Sequence, residues 1–140
     1  MKIKAVWEHF SHQADIGVRG IGRTIEEAFA EGAYALTAVV CDPQKVRPQA
    51  SVAIECEVPD RELLFAEWLN RLLYEMDTRG MLFCRFDVKI EGDRLRAEAF
   101  GEKADPQRHD LSVEVKAATY QMLKVDRQGD HWLAQCVVDV

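Results

Sequence analysis

The sequence predicts an α+β fold: a largely antiparallel sheet with two main helices packed on it, in a single domain covering residues 1–140. Three observations carry this expectation. The patterned segments run strands, helix, strand, helix, and then mostly strands joined by hairpins, an order that suits an antiparallel sheet covered by helices on one face. Apolar residues recur at helical spacing in two stretches, one after Thr24 and one after Asp60. The 140-residue chain contains neither repeat nor linker and is close to the ~150 residues of an average domain. At that size roughly two thirds of the extended-chain surface is buried on folding, enough for a core without disulfides or a structural metal.

Taken in order, residues 3–10 and 16–21 read as extended segments around a polar elbow, Ser11-His12-Gln13-Ala14-Asp15. Thr24-Ile25-Glu26-Glu27 is a capping-box pattern, in which the Thr24 hydroxyl and the Glu27 carboxylate satisfy orphan amide N–H groups. Ile25, Phe29, Gly32, Leu36 and Val39 then form one buried helical stripe, ended by Cys41-Asp42-Pro43. Val52, Ile54, Cys56 and Val58 alternate with Ser51, Glu55 and Glu57, a strand with one face on the core. Asp60 caps a second helix over 61–77, whose wide apolar face holds Leu64, Trp68, Leu69, Leu72, Leu73 and Met76; Gly80 stops it. Residues 84–90 and 95–99 alternate around Gly92-Asp93 and form a hairpin. Residues 101–109 read as a polar loop, and 111–120 suits either a strand or a short helix. A closing hairpin pairs 122–126 with 132–140 through Gln128-Gly129-Asp130, with Trp132, Ala134, Cys136, Val138 and Val140 on one face.

Charge excludes one class of function. The chain carries 18 Lys+Arg against 24 Asp+Glu, a net of -6, whereas gripping nucleic acid directly needs a basic surface. RNA is therefore expected only through a basic partner. Cys41, Cys56, Cys84 and Cys136 are widely spaced among apolar neighbours and read as buried free thiols of a reducing compartment. The N-terminal residues interleave charges where a signal peptide needs an apolar core, and the uncharged stretch 32–41 is half of the ~20 residues that span a bilayer. A cytoplasmic protein without membrane contact is expected.

Most enzyme templates fail. Gly17, Gly20 and Gly22 stand in the wrong order for a dinucleotide loop, and neither G-x-S-x-G nor H-E-x-x-H occurs. Two carboxylates stand out instead. Asp15 leads directly into an apolar strand, and Asp139 lies inside Val137-Val138-Asp139-Val140, where an unpaired buried charge is costly. With the α-carboxylate of Val140 they form an all-oxygen donor set of the kind that Ca²⁺, Mg²⁺ or Mn²⁺ prefers. The alternative is a solvated terminus at Asp139 and a turn-former at Asp15. His9 and His131 read as structural. His12, three residues before Asp15, and His109, in the charged loop, are candidates for a contact or a proton carrier. Lys116 is the basic counterpart, pairing with a carboxylate or reaching out to solvent.

These residues together resemble the archease family. The likeness runs along nearly the whole chain: His12-Gln13-Ala14-Asp15-Ile16-Gly17, Thr24-Ile25-Glu26-Glu27-Ala28-Phe29, Leu63-Leu64, Trp68-Leu69-Asn70 to Leu73-Tyr74, Gly101-Glu102, His109, Glu114-Val115-Lys116-Ala117, Thr119-Tyr120 and Val137-Val138-Asp139-Val140. Two positions depart from the pattern. Gln13 stands where a smaller residue such as Thr is usual, and Gln121 follows Tyr120 where His is common. The resemblance implies a non-catalytic cofactor of the GTP-dependent tRNA-splicing RNA ligase, one that promotes ligase guanylylation and multiple turnover and broadens nucleotide use. It also implies a divalent-cation site, usually calcium, with ligands at Asp15, Asp139 and Val140, and a lysine at the ligase contact, Lys116. The rival reading is a stand-alone metal-dependent hydrolase or phosphotransferase using the same carboxylates.

Overall fold

The computed structural model describes residues 5–140, so the first residues of the expected opening strand lie outside the described part. Twelve elements follow one another. β1 (Val6–His12) and β2 (Asp15–Gly22) form a hairpin, and α1 (Ile25–Val40) and a 3-10 turn (Pro43–Lys45) follow. Next come β3 (Ala50–Glu57), α2 (Arg61–Arg79), and the long hairpin of β4 (Met81–Glu91) and β5 (Arg94–Lys103). The chain ends with α3 (Pro106–His109), β6 (Ala117–Ala118), β7 (Lys124–Gln128) and β8 (His131–Asp139).

The fold is α+β with antiparallel pairing throughout, as expected, but the strands divide into two sheets. One is five-stranded in the order β1-β2-β8-β6 with β7 also on β8; the other is three-stranded in the order β3-β5-β4. The division follows from pairing: β3 and β4 both take β5 as partner, and the two form that sheet's edges. Each main helix touches strands of both sheets. This explains why α1 buries more than a single stripe: Ala28, Phe29, Gly32, Ala33, Ala35, Leu36, Thr37 and Val39 are all covered.

Helix ends obey their local signals. The Thr24 hydroxyl accepts the Glu27 N–H at 3.1 Å, while the Glu27 carboxylate reaches back to the Arg23 N–H at 2.8 Å, one residue before the expected partner. Asp60 accepts the N–H groups of Glu62 and Leu63, both at 2.9 Å, and α2 stops at Gly80 in the left-handed region. One continuous core joins the helices to both sheets. At its centre the Trp68 indole donates to the Phe29 carbonyl at 3.0 Å and meets Phe86 edge-on, and Phe29 does the same with Phe65.

The expected polar loop at 101–109 carries the tail of β5 and the short α3, which Asp105 caps. The stretch left open, 111–120, is an extended strap with only Ala117 and Ala118 in a ladder. All four cysteines are free; burial pushes the thiols of Cys41 and Cys56 up to about 11 and that of Cys136 up to about 12. Among the described residues no helix is long and apolar enough to cross a membrane.

Helix α1 lies directly on β2 because Gly20 has no side chain. A Cβ there would stand 2.1 Å from the Ala28 carbonyl oxygen and 2.3 Å from the Gly32 nitrogen, both backbone atoms. Gly20→Ala is expected to cost about 3 kcal/mol in urea unfolding, the upper range for overpacking. Gly92→Ala, strained by φ +59° but with open space around it, is expected to cost only about 1 kcal/mol.

Candidate functional site

The site is built on a row of residues across the five-stranded sheet. The turn Gln13-Ala14, with Gln13 at φ 55°, closes the β1–β2 hairpin and sets His12 opposite Asp15. Strand β2 pairs with β8 in a register that matches Ile16 with Val138 and Gly17 with Val137. One step further, that register puts Asp15 opposite Asp139. Asp139 in turn pairs with Ala117 of β6, and its carbonyl accepts the Lys116 N–H at 2.8 Å. Val18, Cys136 and Val138 face the core, so the two-residue alternation turns Asp15 and Asp139 to the opposite face of the sheet. His12 lies on that same face, directly across from Asp15.

The two carboxylates are half-buried. Among the described residues neither forms an ion pair. Arg19, which alternation puts on the same face, is engaged elsewhere: it bonds Glu8 at 3.2 Å and Gln135 at 2.9 Å and stacks on Phe10. Among the described residues the one direct bond to the Asp15 side chain is the Val140 N–H, at 3.4 Å from Oδ1, which draws Val140 to the pair. Beside them the buried Nδ1 of His12 has no hydrogen-bond partner among the described residues.

This chemistry fits a hard cation. Asp15 and Asp139, neighbours across the strands and without an ion-pair partner among the described residues, are oxygen donors of the kind that Ca²⁺ or Mg²⁺ takes. Among the described residues no group of three His, Cys, Asp or Glu side chains is gathered tightly enough to hold a metal. A cation placed here would therefore need oxygen donors beyond the side chains of Asp15 and Asp139.

The remaining candidates lie elsewhere. His109 is fully buried, which keeps it from touching a partner. Its Nδ1 accepts the Asp105 N–H at 2.7 Å, so Nε2 carries the proton that goes to Glu102 at 2.9 Å. Glu102 also takes Arg108 at 2.6 Å and the Arg47 N–H at 2.7 Å. These donors hold its carboxyl down at about 2, well below the ordinary range, with the Arg108 and His109 bonds leading. The ammonium of Lys116 is exposed and forms no ion pair among the described residues; the side chain lines a groove against α2. His9 and His131 are structural as expected, bonding the Ala35 carbonyl at 2.7 Å and Asp130 at 3.3 Å.

Sequence reasoning assigned no role to Asn70 or Glu102. The Asn70 amide donates to the Ala118 carbonyl at 3.2 Å and accepts the Ala118 N–H at 2.8 Å, fastening β6 to α2 beside Asp139. A polar residue at a half-buried helical position was the only local signal for it.

Residues 7–140 match the model of the Archease protein family (MTH1598/TM1083). The chain belongs to the archease family. It is 45% identical to protein archease of Pyrococcus furiosus, over 96% of this chain and 98% of that one. The solution structure of Methanobacterium thermoautotrophicum protein 1598 superposes with a TM-score of 0.82 at 30% identity, covering 96% of this chain and 98% of that one. The crystal structure of a Thermotoga maritima archease, described as a possible chaperone, shares the fold, with a TM-score of 0.63 at 24% identity and 94% coverage of both chains. Archease membership thus extends from β1 to Val140, and includes both strands that carry the aspartates.

The Glu102 cluster makes folding sensitive to acid. A carboxyl depressed in the folded state adds stability that is complete above its unfolded value and is lost as pH falls through the folded one. Wild type is expected to lose thermal stability between about pH 4.5 and about pH 2 through this group. Glu102→Gln, followed by melting across that range, is expected to start lower at pH 7 and to flatten the slope. Removing the double bond to β6 with Asn70→Ala is expected to cost ~1–3 kcal/mol, the penalty for unsatisfied buried amide groups, and to speed amide exchange at Ala118.

Proposed function

We propose that the protein is a non-catalytic cofactor of a GTP-dependent RNA ligase in the cytoplasm, promoting ligase guanylylation and multiple turnover and broadening the nucleotides used. The observation that carries this reading is the pairing of Asp15 with Asp139 across β2 and β8 with no ion-pair partner among the described residues. A bound Ca²⁺, or Mg²⁺ or Mn²⁺, would supply positive charge to phosphate oxygens and orient a triphosphate. Asp15, Asp139 and a Val140 oxygen would hold it at the rim of the sheet, where a partner's active site can reach. The residues themselves position charge and perform no bond-breaking step.

The acidic balance supports a protein partner. A surface of net charge -6 complements the basic groove in which a ligase holds RNA and GTP, so RNA is met only through the ligase. Lys116 stands at the edge of the same region through its bond to Asp139 and is the contact residue of this reading.

Single-turnover guanylylation of the cognate ligase with radiolabelled GTP tests the proposal. Wild type is expected to raise the rate, and Asp15→Ala or Asp139→Ala, folded by circular dichroism, to lose at least tenfold of the stimulation. Undiminished stimulation by both folded variants would sink the carboxylate mechanism. Turnover of a phosphoester without any ligase would favour the hydrolase reading instead.

A further inference from the structure

A groove of about 750 Å³ runs between the C-terminal half of α2 and the extended strap 111–116. Leu73, Met76 and Val115 line it, and on its lips Tyr74, Leu111 and Val113 are 62%, 45% and 38% exposed. A contiguous apolar patch of this kind marks an interaction surface. The strap beside it is extended but unpaired over its middle. Ser112 donates to the Val40 carbonyl and Lys116 to that of Asp139, yet among the described residues nothing accepts the N–H groups of Val113, Glu114 and Val115. Asp77 and Glu114 on the rim also lack an ion-pair partner among the described residues, as does Lys116.

We propose that this groove binds an extended, basic peptide segment of a partner protein, which adds as a strand to residues 113–115. Alternate apolar side chains of the segment would rest on Leu73, Tyr74 and Met76, and a cationic side chain would meet Asp77 and Glu114. Unpaired strap N–H groups select an extended segment over a helix, whose backbone is already satisfied. Two free carboxylates against one ammonium select a basic segment over an acidic one and over nucleic acid. A second copy of this chain, with a net charge of -6, is repelled. The inference rests on the reading of the chain as another protein's partner, but not on a bound cation.

The test is an NMR titration of the ¹⁵N-labelled full chain with two synthetic peptides, one alternating valine with arginine and one alternating valine with glutamate. Saturable shifts of the 113–115 amides are expected with the arginine peptide, and at least tenfold weaker binding of the glutamate peptide. Val113→Pro, which removes one N–H from the free edge of the strap and leaves Glu114 in place, is expected to weaken the arginine peptide tenfold without changing the melting temperature. Asp77→Lys, on the exposed side of α2, is expected to reverse the peptide preference and covers the case in which the proline variant misfolds. Equal binding of both peptides, shifts confined to residues outside the strap, or strap shifts that follow dimerisation by light scattering would overturn the proposal. Ligase stimulation on the same samples separates the two readings. A protein that stimulates the ligase but binds neither peptide overturns the groove alone. One that binds the arginine peptide but stimulates nothing overturns the functional reading alone.

Discussion

The pairing of β2 with β8 is the constraint on which the rest of the molecule depends. It joins the start of the chain to its end, and its register decides what faces what: Ile16 on Val138, Val18 on Cys136, Gly20 on Ala134. A slip of one residue would turn Val18 and Cys136, both fully buried, to the other side of the sheet. The same slip would separate Asp15 from Asp139. Core packing thus enforces the register, and the register in turn holds two carboxylates together that repel each other. Burying Val18, Cys136 and Val138 stabilises each by ~1.5–3 kcal/mol, which outweighs the repulsion of two half-exposed charges.

Around that pairing the helices act as spacers between two sheets. Gly20 lets α1 lie with its backbone against β2, and Gly32 leaves room on the other side for Phe65 of α2. Trp68 then ties the helices together through the Phe29 carbonyl. Asn70, two residues on, reaches Ala118 of the two-residue strand β6, next to the Ala117 that pairs with Asp139. The candidate site is therefore held from behind by helix packing as well as from the side by strand pairing. Val140 itself packs against the core, whereas the side chains of Asp15 and Asp139 face away from it.

The acidic cluster of Glu102 has a separate, architectural task. It gathers Arg47, from the segment after the 3-10 turn, and Arg108 and His109 of α3 around one buried carboxylate. Its effect is to fix the start of the strap that leads to Lys116. A histidine in a charged loop invited a contact role, but the fold withdraws it from the surface and uses it as a hydrogen-bond donor. In contrast, the His12 Nδ1 has no partner among the described residues, and His12 stays in the candidate site, across from Asp15.

Local signals in the sequence determined the α+β class, the helix caps at Thr24 and Asp60, the stop at Gly80, the hairpin at Gly92 and the unusual setting of Asp15 and Asp139. Each of these depends on residues within a few positions of one another, where periodicity and capping operate. The resemblance to archeases was equally legible, because its motifs keep their order along the chain. Only the tertiary structure decided that the strands form two sheets, that 111–116 runs as a strap tied down at Ser112 and Lys116, and that His109 is buried. The meeting of Asp15 with Val140, 125 positions apart, is of the same kind. No local pattern specifies a contact at that distance; it follows from which strands bury their apolar faces together, and that is a property of the packed core as a whole.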